Sequence, residues 1–324
     1  MPELFETYDE LDEVEEQLRA ADPGERRVAV IGLANSGDPA AVKLLDGMAA
    51  DPDAGVRQQV ALALGEFDGP EASAALVKLL VDPESAVATA AADSMAELKD
   101  PASADAIFPL VSHSHAFVRM SALRALKELR RKDALKIVLS ALRDADASVR
   151  AQAVGVIGFL KLEEAVPALT AATTDSDPHV RRGAVNALAF SKTQTAGDSI
   201  ITALSDDDWM VRETAAETLG SHKTGEHAAD PLIKALSDEY WQVRLKAARS
   251  LGIMKVRRAA GAIAACLDHP QANLRKECAA ALGEIADPAS QRFLAAIVDD
   301  PDPDVRKNVR WALQRVAAAG GLAS

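Results

Sequence analysis

Cysteine and aromatic residues are scarce in this chain: two cysteines in 324 residues, and 4% Phe, Trp and Tyr. Cys266 and Cys278 form neither a disulfide framework nor a CxxC metal pair. With so few rings, the core falls to Ala, Leu and Val, small side chains that favour closely packed helices. No stretch approaches the roughly 20 apolar residues of a membrane helix. The opening MPELFETYDELDEVEEQLR is acidic where a secretory signal is basic and then apolar, so a cytoplasmic protein without membrane contact is expected.

Catalytic patterns are missing too. GxSxG, GxGxxG, GxxxxGK[ST] and HExxH do not occur. Cys278 and Cys266 stand at positions held by small residues elsewhere in the chain, with no evident base beside them, so an activated thiol is not expected. The histidines that invite a metal reading, His113, His115, His222, His227 and His269, are too dispersed to converge on one ion. The residues argue against an enzyme, with no metal and no cofactor.

Net charge is −13, and residues 1 to 25 carry −9 of it, ten acids against Arg19. An acidic start disfavours general nucleic-acid binding.

What the chain does have is a period. Val56-Arg57, Val118-Arg119, Val149-Arg150, Val180-Arg181, Val211-Arg212, Val243-Arg244, Leu274-Arg275 and Val305-Arg306 recur at 31 residues or its double, with one step of 32. Val87-Ala88 and Glu25-Arg26 fill the remaining slots. Such self-similarity is the mark of a solenoid, one supersecondary unit stacked many times.

Within residues 162–190, Val166, Leu169 and Thr170 fall at helical spacing. A polar turn follows, and then Val180, Ala184, Val185 and Leu188 share a second helical face. Each unit is thus an antiparallel pair of helices. Asp177 is a natural N-cap, with Pro178 where a missing N–H costs nothing. Pro109, Pro167 and Pro231 should bend the first helix of their units. Gly65, Gly158, Gly220, Gly252 and Gly283 suit either close packing or a helix stop. An Asp lies six residues before most of the arginines (Asp51, Asp82, Asp144, Asp175, Asp206, Asp238, Asp300). Guanidinium–carboxylate pairs within and between units make the arginines a stacking device rather than an active site.

The pattern D-x-D-x-x-V-R-x-x-A-x-x-A-L-G, preceded by a helix such as AVPALTAATTD or AADPLIKALSD, resembles the HEAT-like repeats of the phycobilisome-lyase type. The resemblance covers essentially the whole chain. It implies an all-α fold, an α-α superhelix of about ten two-helix repeats of 31 residues. As domains it gives one solenoid over 1–324: an acidic capping repeat (1–35), central repeats (36–286), and a C-terminal capping repeat with a short tail (287–324). Proteins similar to it include bilin lyase subunits, di-iron hydroxylases, and scaffold or assembly factors; the His-Glu dipeptides of the hydroxylases are absent here.

In such solenoids the second helices line the concave face, so positions 2, 5 and 9 after the arginine should point into a groove. Gly155 with Phe159, and Asn186 with Phe190, stand out there as an apolar cradle, the rings expected about 10 Å apart. Arg124 and Arg249 occupy one equivalent slot on either side as basic shoulders for an acidic partner or a carboxylate-bearing ligand. Trp209, Tyr240 and Trp241 cluster on the inter-helix turns, where aromatics mark contact surfaces or pack locally. The expected function is a non-catalytic protein-binding scaffold or an assembly and maturation factor whose concave face holds another protein or peptide. The alternative is a subunit of a bilin or other tetrapyrrole chromophore lyase, with Phe159, Phe190, Arg124 and Arg249 around the pigment.

Overall fold

A computed structural model of the chain describes residues 14–222 and 225–321, and every regular element among them is an α-helix or a short 3-10 helix. Residues 1–13 of the expected acidic cap (1–35) lie outside the described residues. The chain folds as two compact units, Met1–Leu160 and Lys161–Ser324.

In the first unit the second helices of successive repeats are Pro23–Ser36, Ala54–Leu64, Ser85–Met95, Ala116–Leu129 and Ala147–Leu160. In the second they are Pro178–Ala187, Trp209–Ser221, Trp241–Ile253, Ala272–Ile285 and Pro303–Gly321. Their spacing reproduces the 31-residue period because the apolar stripe restarts with each Val-Arg. Val56, Val87 and Val149 are fully buried, as are Val211, Val243 and Leu274. Each such side chain contributes about 1.5–3 kcal/mol relative to exposure. The position three after the arginine is equally closed: Val60, Ala91, Ala122, Ala184, Ala215 and Cys278 have no accessible surface.

Asp starts these helices as its chemistry suggests. Asp53 accepts from the backbone N–H of Val56, Asp177 from His179 and Val180, and Asp208 from Met210 and Val211. Where Glu84, His115, Tyr240 or Gln271 stands at that position, the side chain makes no cap.

In the units that carry Pro109, Pro167 and Pro231 the first helix is divided between a 3-10 and an α segment rather than smoothly bent. Pro109 lies in the 3-10 segment Phe108–Ser112 that follows Ala104–Ile107. Pro167 and Pro231 sit in the first turn of Val166–Ala172 and Ala229–Ala235, each just after a 3-10 segment. The tighter turn is not peculiar to the prolines, since Lys132–Ala134 and Arg257–Ala259 open their first helices in the same way without one. At Gly65, Gly220, Gly252 and Gly283 the glycine serves close packing. A Cβ on Gly252 would lie 2.9 Å from the Cα of Ala281, and one on Gly283 would lie 2.9 Å from the Cα of Ala312. Left-handed backbone at the repeat ends is instead taken by Arg130, Lys161, Lys255 and Ala286.

Second helices of consecutive repeats pack side by side. Within the first unit the pair Ser85–Met95 and Ala116–Leu129 is the least extensively packed.

Candidate functional site

The recurring arginines form a ladder of one repeated geometry. The guanidinia of Arg26, Arg57, Arg119, Arg181, Arg212 and Arg275 each reach the Asp 25 or 26 residues ahead, on the turn of the next repeat. Arg57 Nε and Nη2 donate to Asp82 at 2.6 and 3.0 Å, Arg119 to Asp144 at 2.6 and 2.7 Å, and Arg26 to Asp51 at 2.7 and 2.8 Å. In the second unit Arg181–Asp206, Arg212–Asp238 and Arg275–Asp300 repeat the bidentate pairing. The remaining nitrogen, Nη1, donates to two carbonyls of the arginine's own turn, as Arg119 does to His113 and Ser114 at 2.8 and 2.9 Å. The Asp on the arginine's own turn therefore offers its backbone, and the Asp of the next turn its carboxylate.

This explains why the residue is Arg. Lys could not span a planar carboxylate and two carbonyls at once. Hydrogen bonding by Arg57, Arg119 and Arg275 holds the carboxyls of Asp82, Asp144 and Asp300 below their usual range, against burial. For Asp51, Asp206 and Asp238 burial pushes the carboxyl up, and the arginine with a backbone N–H outweighs it.

Two rungs depart from the pattern. At one, His269 replaces the acid, and Arg244 Nε turns to the backbone carbonyl of Asp238. At the other both partners change together, Ala88 for the arginine and His113 for the acid.

The outward positions carry a second set of cross-repeat pairs. Arg124 meets Asp93 at 3.1 Å, Lys246 meets Glu217 at 2.5 Å, and Arg249 Nε and Nη2 grip Glu277 at 2.9 and 2.8 Å. The two expected basic shoulders are therefore each neutralised by a neighbouring helix. Phe159 is half-buried at the end of the first unit, with the guanidinium of Arg130 4.9 Å and the ammonium of Lys127 5.7 Å from its ring centre. Gly155, one turn earlier, faces open space. Phe190 ends the 3-10 segment Leu188–Phe190 of the second unit, half-buried, with Asn186 exposed one turn before it.

Trp209 and Tyr240 do come together. Their rings stack with centroids 5.2 Å apart and planes 10° from parallel. Arg212, already held by Asp238, lies 5.7 Å from the Tyr240 ring. Tyr240 is 39% exposed, while Trp209 and Trp241 are half-buried.

Among the described residues no group of three or more His, Cys, Asp or Glu could hold a metal ion. His113 and His115 stack on each other 5.6 Å apart, on one turn. Cys266, in the turn after Ala260–Ala264, and Cys278, in Ala272–Ile285, are both buried. A hydrogen bond from Cys278, with Arg244 nearby, draws the Cys266 thiol down, while that contact and burial push Cys278 up.

HEAT repeats match at residues 11–96, 74–146, 135–220 and 229–314. The chain belongs to the HEAT-repeat family. A PBS lyase HEAT-like repeat also matches, at residues 211–238. Among solved structures, E. coli YibA is 20% identical with a TM-score of 0.63, covering 80% of this HEAT-repeat chain and 95% of its own. An engineered protein is 20% identical with a TM-score of 0.52, covering 95% and 98%. The karyopherin Kap121p, bound to the extreme C-terminus of the protein phosphatase Cdc14p, is 12% identical with a TM-score of 0.65, covering 95% of this chain and 42% of its own. A search of curated proteins finds no match. These likenesses establish the fold. No helix among the described residues is long and apolar enough to cross a membrane.

Sequence reasoning missed the acids that answer Arg124 and Arg249. Asp93 and Arg124 both lie five after their repeat slots, and Glu277 lies two after Arg275, so overlaying adjacent repeats would have paired them. The Cys266–Cys278 contact was missed because each residue looked like a small core substitution.

Proposed function

We propose that this HEAT-repeat protein is a non-catalytic binding scaffold, an assembly or maturation factor whose concave face, with the adjoining turns, holds another polypeptide. The observation that carries the reading is the Trp209–Tyr240 stack. It is a partly exposed pair of rings in a chain poor in aromatics, beside the Arg212–Asp238 rung. Rings fixed before binding lose little entropy when a partner covers them, which is the usual property of an interface anchor. Kap121p, of similar fold, holds the terminal segment of another protein. Cross-repeat pairs such as Arg249–Glu277 leave the outward helix positions close to neutral, which suits a mixed polar and apolar partner better than a strongly acidic one.

Affinity capture with wild type beside Trp209→Ala/Tyr240→Ala and Phe159→Glu/Phe190→Glu variants tests this. A partner that wild type retains should be lost from at least one folded variant. If both recover it undiminished, neither aromatic surface is the interface.

The second reading, a subunit of a tetrapyrrole lyase, is favoured by the PBS lyase HEAT-like repeat match at 211–238 and by the cation-flanked ring of Phe159. It requires that Arg124 and Arg249 exchange their present acids for pigment carboxylates. Titration with bilin or haem is decisive: an unchanged pigment absorbance at micromolar concentrations removes this reading.

A further inference from the structure

The rung at which Ala88 and His113 stand together lines a half-open pocket of about 600 Å³. Its walls include Asp82 and Pro83 on one turn, Ala88 and Thr89 on the following helix, and His113 with Phe117 on the next repeat. Elsewhere on the ladder this is where an arginine side chain lies. The two carbonyls that take Nη1, six and five residues before the arginine slot, are here those of Asp82 and Pro83, and position 88 supplies no guanidinium to them.

The other unit shows the same rung filled. His269 occupies the acid slot opposite Arg244, and its Nδ1 accepts from the backbone N–H of Gln271 at 3.1 Å. His113 Nδ1 accepts from His115 in the same way, at 3.2 Å. A histidine in this slot thus tolerates a guanidinium beside it, as Arg244 demonstrates by donating to the carbonyl of Asp238. The vacant rung has the same histidine and the same two turn carbonyls without the arginine; Arg244 engages the first of them, and the arginines of the acid rungs engage both.

Charge favours the same occupant. Residues 79–98 hold Asp82, Glu84, Asp93 and Glu97 and no base. Arg57 pairs with Asp82 and its charge also reaches Glu84, which is exposed and caps no backbone N–H, while Arg124 occupies Asp93. Phe117, 39% exposed, gives a flat face for stacking.

We infer that the pocket at Ala88 and His113 is a docking site for an arginine side chain of a partner polypeptide, which completes the ladder in trans. The guanidinium donates to the Asp82 and Pro83 carbonyls and lies near Glu84 and Phe117. This goes beyond the scaffold reading, since the site lies on turns of the first unit and uses none of the residues assigned to the partner surface.

The probe is N-acetyl-arginine amide, titrated into the full chain while the His113 ring C–H signals are followed by NMR, assigned through His113→Asn. Those signals should shift and saturate, and N-acetyl-lysine amide should bind at least about tenfold more weakly because it cannot bridge two carbonyls. Ala88→Arg fills the pocket in cis; it should raise Tm and abolish the response. If that single change unfolds the protein, Ala88→Arg/His113→Asp installs a complete rung, and its Tm must exceed wild type. The inference fails if acetate shifts the His113 ring and the arginine amide does not. It fails equally if Ala88→Arg responds like wild type, or if the complete-rung variant is less stable than wild type.

Discussion

Replacing Asp206 tests how much one rung holds. Asp206 and Arg181 have side chains only 10% and 16% exposed, and the guanidinium makes two bonds to the carboxylate, at 2.8 and 2.7 Å, and two to the carbonyls of Asp175 and Ser176. Asp206 also receives the backbone N–H of Asp208 at 2.9 Å. Asp206→Ala strands a mostly buried guanidinium and orphans that N–H, which should cost about 3–5 kcal/mol. Asp206→Asn keeps an acceptor for Asp208 and loses the charge, at about 1.5–3 kcal/mol. The double change Arg181→Ala/Asp206→His copies the Ala88–His113 rung and should recover at least about 1 kcal/mol of the summed single losses, because neither partner is left unpaired. Urea unfolding followed by circular dichroism, with hydrogen exchange on the helices Pro178–Ala187 and Trp209–Ser221, measures these losses. A loss below about 1 kcal/mol for Asp206→Ala, or strict additivity in the cycle, would refute the ladder as a stacking device.

Acid should unfold the protein by the same route. The ladder carboxyls titrate below their unfolded value, so their stabilisation is complete at neutral pH and is lost as pH falls through about 4 and below the depressed native values. A Tm unchanged from pH 7 to about 3 contradicts this. Ala286 holds φ 52°, a region costly for any residue with a Cβ. Ala286→Gly should therefore stabilise by about 0.5–1 kcal/mol in thermal unfolding, and a loss would count against the strain. Gly252→Ala drives a Cβ to 2.9 Å from Ala281 Cα and should cost about 1–3 kcal/mol; an unchanged unfolding midpoint would mean the helices simply part.

The fold was legible because one apolar stripe restarts ten times, and Val56 or Val211 is buried wherever the stripe says it must be. The arginine's role was legible in outline, since Asp stands six before most of the arginines. That the bridge runs forward to the next repeat, while the near Asp gives only its carbonyl, depends on which turn faces which and is invisible in one repeat's letters. The candidate surfaces were harder for the same reason. Trp209, three before its arginine, stacks on Tyr240, four before the next, a pairing across two turns that no single repeat shows. Arg124 and Arg249 looked free only when each helix was considered without its neighbour.

The paired change at Ala88 and His113 also bears on how the first unit comes apart. In an array whose stability is a sum of single-repeat and nearest-neighbour energies, cooperativity travels only as far as the coupling between neighbours allows. There the rung is absent, and the helices Ser85–Met95 and Ala116–Leu129 pack least. Repeats on either side share the weakest link of this unit, so fraying that starts at Pro23–Ser36 should stop at that boundary before crossing it. A segment that docks there would do more than add contacts: it would join two separately melting blocks into one.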